Sequence, residues 1–420
     1  MNSFLGRKNI LIVNQHGENR GDEAAMRAML NSFEREFEDV KFTIIAQFKD
    51  KRLKIQVNQN LTILHMIMPI PQAIGLGLYA IAKFLKLSTP FLLSAQTKKI
   101  IQAYEVCDMV VSAPGGPYFG DIYYKHEVAH WFYIWLAYLY EKPLFLYAPS
   151  AGPFNLKLMN IIRKYLYKKF DILCVREEIS QNALQNLLGN NVPIYLTADS
   201  ALQENPQPFE RTHYFKDERA SFANKYLVSV SAIQYNYPGE SHVARQQICY
   251  TNTILKCLMH IASKKDCHFL FFPQLYGRVH SDVPFLEALG QRLPASLSWE
   301  IVNTGFDSDM QRRLFGMTDL CIASRYHPQI FAASNGIPGI CIYYEHKALG
   351  FMSLLSLKDF AFDIRNLDAV IMCKKLDEIM DRRDEISALI KSNIVEIRNN
   401  AKKTTQLIVD YYRGIYASFC

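Results

Sequence analysis

The chain has 420 residues, 50% of them hydrophobic and 21% charged, with 47 Lys and Arg against 40 Asp and Glu. That apolar fraction buries a core large enough to offset chain entropy, which excludes a disordered or fibrous protein. A formal charge of +7 is modest for this length, and without a helix-turn-helix, zinc-finger or RNP-like pattern it speaks against a nucleic-acid binder.

In chain order, the N-terminus lacks the long apolar region and small-residue cleavage site of a secretory signal, and it runs straight into a strand expected over Asn9–Val13. The loop behind that strand, Asn14-Gln-His16-Gly17-Glu-Asn19-Arg-Gly21-Asp22, enters a helix whose first N–H groups suit an anion or a sugar hydroxyl. A tight turn capped by Asp22 explains the same residues equally well. After a strand at Phe42–Ala46, residues 51–104 hold no acid but seven cations: Lys51, Arg52, Lys54, Lys83, Lys86, Lys98 and Lys99. The rest of the chain is therefore neutral on balance.

Within that stretch, a helix over about Gln72–Leu87 suits the surface of an anionic bilayer, with the aromatic run from Trp131 to Tyr140 as an interfacial anchor. The plainer expectation is that these helices pack on a sheet with lysines outward and the aromatic run in the core. Pro69, Pro71 and Pro90 break the apolar run, so no single spanning helix is expected.

Strands follow at Met109–Ser112, Leu144–Tyr147, Ile172–Val175 and Ile194–Leu196. The first ends in Pro114-Gly115-Gly116-Pro117 and the second in Ser150-Ala-Gly152-Pro153, loops that let backbone approach a ligand closely. Residues 155–170 form a second basic, acid-free helix. Arg176 closes the third strand, where a guanidinium suits carboxylate or phosphate, or else a salt bridge to Glu177 or Glu178. Asp199 closes the fourth as a base or a helix cap.

Leu202–Ala220, rich in Pro, Gln and charge, reads as a linker. Strands resume at Tyr226–Ser231, His268–Phe272, Trp299–Val302, Leu320–Ala323, Gly339–Tyr343 and Phe360–Phe362, before a charged helical pattern from Leu376 to about Tyr412. Alternating strands and helices predict an α/β protein with two Rossmann-like, doubly wound domains facing a cleft, where ligands meet the carboxyl ends of the strands. The expected division is 1–205, an acceptor-side domain; 221–375, a donor-side domain; and 376–420, helices that pack back on the first. Nine cysteines without a CxxC pair predict reduced thiols and a cytoplasmic setting. Cys257, His260, Cys267 and His268 make a poor metal set, because Cys267 and His268 point to opposite faces of one strand.

The sharpest motif is Ser324-Arg325-Tyr326-His327, ahead of Asn335-Gly336-Ile-Pro338. On an extended strand tip, Arg325 and His327 share one side, so a fixed cation and a titratable group address one ligand. Lys347 follows at the next strand end.

Taken together, Asn19-x-Gly-Asp22-Glu-Ala, Pro-Gly115-Gly116, Gly152-Pro-Phe, Val-Arg176-Glu, Ser-Arg325-Tyr-His327 and Tyr-x-x-Lys347-x-x-Gly350-Phe resemble the polysaccharide pyruvyl transferase family, in the same order, from about residue 8 to 355. The resemblance implies a fold similar to that of two-domain GT-B glycosyltransferases. It implies transfer of the enolpyruvyl group of phosphoenolpyruvate onto two hydroxyls of a sugar, giving a cyclic ketal and phosphate without a metal or other cofactor. Arg325 and Arg176 become grips on phosphate and carboxylate, and His327 the acid/base residue. Ser324, Tyr326 and Lys347 complete the donor side. Asn14, His16, Asn19, Asp22, Gly115, Gly116 and Asp199 form the acceptor side. The acceptor is a surface polysaccharide sugar or its lipid-linked precursor, met in the cytoplasm or at the inner face of the membrane. Two rivals remain: a nucleotide-sugar glycosyltransferase, for which only Glu345 stands near the expected ribose-binding position, and a non-catalytic carbohydrate-binding protein.

Overall fold

The computed structural model describes residues 7–17, 19–46, 60–65, 68–87, 93–116, 119–121, 124–277 and 280–417. Lys51, Arg52 and Lys54 lie outside them, as do Pro90 and Pro117. The chain forms two compact units: residues 1–17, 22–203 and 398–420 make unit 1, and residues 18–21 and 204–397 make unit 2.

Unit 1 runs β1 (Lys8–Gln15), α1 (Arg20–Glu36), β2 (Val40–Ala46), β3 (Leu61–His65), α2 (Ile70–Phe84), α3 (Ala95–Val106), β4 (Met109–Ser112), α4 (Tyr124–Leu139), β5 (Leu144–Tyr147), α5 (Lys157–Tyr167), β6 (Ile172–Val175), α6 (Glu178–Leu188) and β7 (Ile194–Leu196). The first residues of α1 group with unit 2. All strands are parallel, in the order β3-β2-β1-β4-β5-β6-β7. Four-residue apolar strands such as β4, β5 and β6 are buried throughout, because helices cover both faces of a parallel sheet. One face packs Leu76, Ile100, Trp131, Tyr133 and Leu136 from α2, α3 and α4. The aromatic run of α4 is thus largely core. The other face packs Met26, Met29 and Phe33 of α1 with Ile408, Val409 and Tyr412 from the end of the chain.

Unit 2 runs α7 (Arg211–Tyr214), β8 (Tyr226–Ser231), α8 (Val243–Ala262), β9 (Cys267–Phe271), α9 (Val283–Gly290), β10 (Ser298–Ile301), α10 (Ser308–Gly316), β11 (Leu320–Ala323), α11 (Tyr326–Ser334), β12 (Gly339–Tyr343), α12 (His346–Leu354), β13 (Ala361–Asp363), α13 (Ala369–Asp381) and α14 (Arg383–Ala417). Its sheet is parallel in the order β10-β9-β8-β11-β12-β13. The strand order reverses between β1 and β4 in unit 1 and between β8 and β11 in unit 2. At such a switch point the flanking loops part and leave a crevice at the carboxyl ends.

The linker is more ordered than its composition suggests, with α7 and a 3₁₀ run at Asp217–Asn224. The charged C-terminal pattern is two helices divided at Arg382, and α14 gives residues 383–397 to unit 2 and the remainder to unit 1. No described cysteine is in a disulfide. Among the described residues, no helix is long and apolar enough to cross a membrane.

Candidate functional site

In unit 1, Asn14, His16, Asp22, Gly115 and Gly116 lie on the segments around the switch point, whereas Asn19 groups with unit 2 and Asp199 follows the edge strand β7. Asn14 follows the core of β1 in a left-handed conformation (φ 64°), is almost fully buried, and donates from Nδ2 to Ser112 Oγ of β4 at 3.1 Å. Its Oδ1 has no hydrogen-bond partner among the described residues. A buried acceptor left so is costly unless a ligand donor or a water meets it. His16 lies 2.8 Å from His130, ring nitrogen to ring nitrogen. Asp22 is buried in the first turn of α1. Gly115 accepts from the Ser150 N–H at 3.2 Å, and Gly116 is half-buried next to it.

Arg176 and Asp199 are brought together. The Arg176 guanidinium donates to Ser150 Oγ at 2.9 and 2.8 Å, to Glu177 at 3.2 Å and to Asp199 at 2.5 Å, with a side chain only 1% exposed. Asp199 also caps the short helical turn at Ser200–Leu202 through the Ala201 N–H. Both alternatives weighed for these residues, ion pair and cap, are thus present.

In unit 2, Ser324, Arg325, Tyr326 and His327 follow β11, but the extended tip is shorter than the sequence suggests. Arg325 is the residue before α11, and Tyr326 and His327 already lie in its first turn. The helix starts here because Pro328 fits a first turn, where no N–H partner is lost. Arg325 makes a two-pronged pair with Asp282, Nε to Oδ2 at 2.9 Å and Nη2 to Oδ1 at 2.6 Å. Asp282 is fixed in turn by the Gln274 and Leu275 N–H groups at 3.0 and 2.9 Å. The Arg325 Nη1 takes no part in these bonds, and the side chain is 17% exposed. Burial works against the cation, but Asp282 holds the Arg325 proton more tightly than usual. Tyr344 stands beside it as a neutral phenol, pushed up to about 12 by burial although Arg325 pulls it down.

His327 is buried, with its ring 5.2 Å from that of Tyr326, centre to centre. Residues 19–21 close over it. Asn19 Oδ1 accepts the Gly21 N–H at 2.8 Å, a turn that brings Gly21 against the imidazole. A Cβ at position 21 would fall 1.8 Å from His327 Nδ1, so only glycine fits. Arg20 stacks on Tyr276 at 3.8 Å and donates to the Thr304 carbonyl at 2.6 Å. Lys347, in the first turn of α12, pairs with Glu345 at 2.6 Å and lies 5.7 Å from the Tyr326 ring. Ser324 bonds Tyr250 at 2.7 Å. Neither Arg325 nor Glu345 caps its helix with a side chain.

The sequence reading missed Asp282, Gly21 as a neighbour of His327, and the Tyr235–Tyr344 ring pair at 4.9 Å. Asp282 carried a local signal, an acid just before Val283-Pro284 that looks like a helix cap. It caps nothing, and binds Arg325 instead. The cysteine and histidine set does not converge: His260 pairs with Asp377 at 2.7 Å, while His268 bonds Ser298 and stacks on Phe222. Among the described residues, no three His, Cys, Asp or Glu side chains are grouped to hold a metal.

A sequence model described as polysaccharide pyruvyl transferase matches residues 19–346, spanning both the Asn19–Gly21 turn and the Arg325–His327 helix start. The chain belongs to the polysaccharide pyruvyl transferase family. This pyruvyl transferase family member is 22% identical over 419 residues to the amylovoran biosynthesis protein AmsJ of Erwinia amylovora, a match covering 94% of this chain and 98% of that protein. It is accordingly an enzyme of polysaccharide biosynthesis. Its fold is similar to that of S. aureus MnaA in a co-structure with UDP, with a TM-score of 0.60, 10% identity and 97% of each chain covered. It is also similar to Anabaena HepE crystallised with UDP-glucose, with a TM-score of 0.57, 13% identity and coverage of 98% and 99%. The family member thus has the two-domain α/β fold of GT-B glycosyltransferases and epimerases.

Proposed function

We propose that this enzyme transfers the enolpyruvyl group of phosphoenolpyruvate onto two hydroxyls of a sugar, in a surface polysaccharide or its lipid-linked precursor, as a cyclic ketal. The observation that carries the reading is the Arg325 fork, fixed on one side by Asp282 and open at Nη1, two residues before His327 and directly ahead of α11. Phosphoenolpyruvate is a compact multiple anion, and holding it against water takes preorganised cations. Arg325 and Lys347 supply them. Arg176 already commits its fork to Ser150, Glu177 and Asp199, so in this reading it grips an anion only by displacing Glu177.

Chemically, protonated His327 gives its proton to the methylene carbon, which becomes the methyl group and leaves an oxocarbenium centre at the neighbouring carbon. One sugar hydroxyl adds there and loses its proton. A second hydroxyl then displaces phosphate by carbon–oxygen cleavage, its proton leaving with the phosphate, and the ring closes. General acid help of this kind contributes about 10²–10⁴-fold. On the acceptor side, Asn14 Oδ1 suits a sugar hydroxyl donor. Phosphate release from phosphoenolpyruvate with galactosyl, glucosyl and mannosaminyl acceptors tests the reading. Release with one acceptor, and ketal signals in the product by NMR, are expected. No release with any acceptor, together with no binding of phosphoenolpyruvate by calorimetry, overturns it.

A further inference from the structure

Helix α2 is inside out for a helix on a protein surface. It buries only Leu76, Ala80 and Ala82, while Ile70, Ile74, Leu78, Ile81 and Phe84 are exposed. Amphipathic helices on globular proteins do the reverse, and contiguous exposed apolar surface marks an interaction site. Helix α5 repeats the arrangement. It buries Arg163, Leu166 and Tyr167 and exposes Leu158 (82%), Ile161 (67%) and Tyr165. Both helices pack along α4: Tyr79 bonds Tyr140 at 2.9 Å, Phe84 meets Trp135 at 5.9 Å, and Tyr138 meets Tyr165 at 6.3 Å. The two apolar stripes therefore border one helix in the same unit.

Charge selects the occupant. Neither α2 nor α5 contains a carboxylate, whereas Lys83, Lys86, Lys157, Lys164, Lys168 and Lys169 lie within or directly beyond them. On the neighbouring elements, Glu127 of α4 is buried in a pair with Arg163, which also pairs with the partly exposed Asp121. Glu141 stands exposed past the end of α4, and Glu105 is exposed on α3 beside Lys98 and Lys99. Two lysines ride on aromatic rings, Lys83 at 4.1 Å from Tyr140 and Lys169 at 4.0 Å from Tyr138. Aliphatic stems along apolar surface, with ammonium groups at its edge, suit the boundary between acyl chains and headgroups. A second copy of the chain would bring the same lysines against themselves, while anionic headgroups neutralise them.

We propose that the α2–α5 face of unit 1 docks on an anionic lipid bilayer, with its apolar side chains in the outer acyl region and its lysines among the headgroups. The proposal stands apart from the donor reading.

Flotation of the full chain tests it, using phosphatidylcholine vesicles with and without phosphatidylglycerol. Wild type is expected to float only with phosphatidylglycerol, and less in high salt. Lys86→Gln with Lys164→Gln is expected to weaken the partition ~30-fold. Ile74→Ser with Leu78→Ser and Ile161→Ser is expected to abolish flotation. All five side chains are exposed, so both variants should keep the wild-type melting temperature and the wild-type phosphate release with a soluble acceptor. The proposal falls if wild type stays unbound, if it floats equally with both vesicles, or if it elutes as a dimer that the triple serine variant makes monomeric.

Discussion

Arg176 follows β6 directly and Arg325 follows β11 by one intervening residue, so each guanidinium stands at the carboxyl end of a buried parallel strand. Their surroundings differ. Arg176 meets two carboxylates and a serine and is sealed from solvent, as is Arg163 with Glu127 and Asp121. Arg325 meets one carboxylate, in a fork that fixes its direction and leaves one end open. A buried cation with two carboxylates acts as a structural joint, because removing it strands two like charges. A cation with one two-pronged partner is aimed and can still bind an anion.

The comparison can be broken at several points. His327→Asn should lower phosphate release about 10²–10⁴-fold with the melting temperature kept. An unchanged rate would take the acid role away from unit 2. Arg176→Met should instead destabilise the protein by about 3–5 kcal/mol in denaturant titration, from the uncompensated pair Glu177 and Asp199. If stability holds and the KM for phosphoenolpyruvate rises, Arg176 is a donor grip and the contrast with Arg325 collapses. Arg325→Lys, which keeps the charge but loses the fork, should reduce kcat/KM about 10²-fold without loss of stability. Asp282→Asn should cost roughly ten-fold, because Arg325 stays cationic but is aimed less well; a larger loss than for Arg325→Lys would give Asp282 a role of its own.

The smallest effect is one in which both units should behave alike. Burial pushes the Cys174 thiol of unit 1 and the Cys321 thiol of unit 2 up to about 12. In the unfolded chain such thiols ionise near ~8.5. The folded state thus binds protons that the unfolded state releases, and this contribution, complete below pH ~8.5, is lost as pH rises towards 12. Denaturant midpoints should fall over that window, and Cys174→Ala with Cys321→Ala should flatten the fall.

Most strands were legible as continuous apolar runs. Met109–Ser112, Leu144–Tyr147, Ile172–Val175, Ile194–Leu196, Tyr226–Ser231, Leu320–Ala323 and Gly339–Tyr343 stand where their apolar runs put them. Leu61–His65 was missed because its apolar residues are interrupted by Thr62 and end in His65, and none of them is fully buried. The sequence placed Arg325 and His327 together on an extended strand tip, but His327 lies in the first turn of α11, and the bond that aims Arg325 comes from Asp282, 43 residues away. The contact that confines His327 comes from Gly21, at the far end of the sequence. Such pairings leave no local period to detect. The outward face of α2 also holds most of its large apolar side chains, which a charge pattern does not reveal.

The division of α14 between the units bears on how the chain is made. Unit 1 buries Ile408, Val409 and Tyr412 against α1 and its sheet, Gln203 donates to the Ala401 carbonyl at 2.9 Å, and Thr404 bonds Thr197 at 2.8 Å. Residues 204–397, which hold almost all of unit 2, leave the ribosome before that segment does. Since domains fold as units during synthesis, the half translated first is the half completed last, and an unfinished face of its sheet waits through the synthesis of the other.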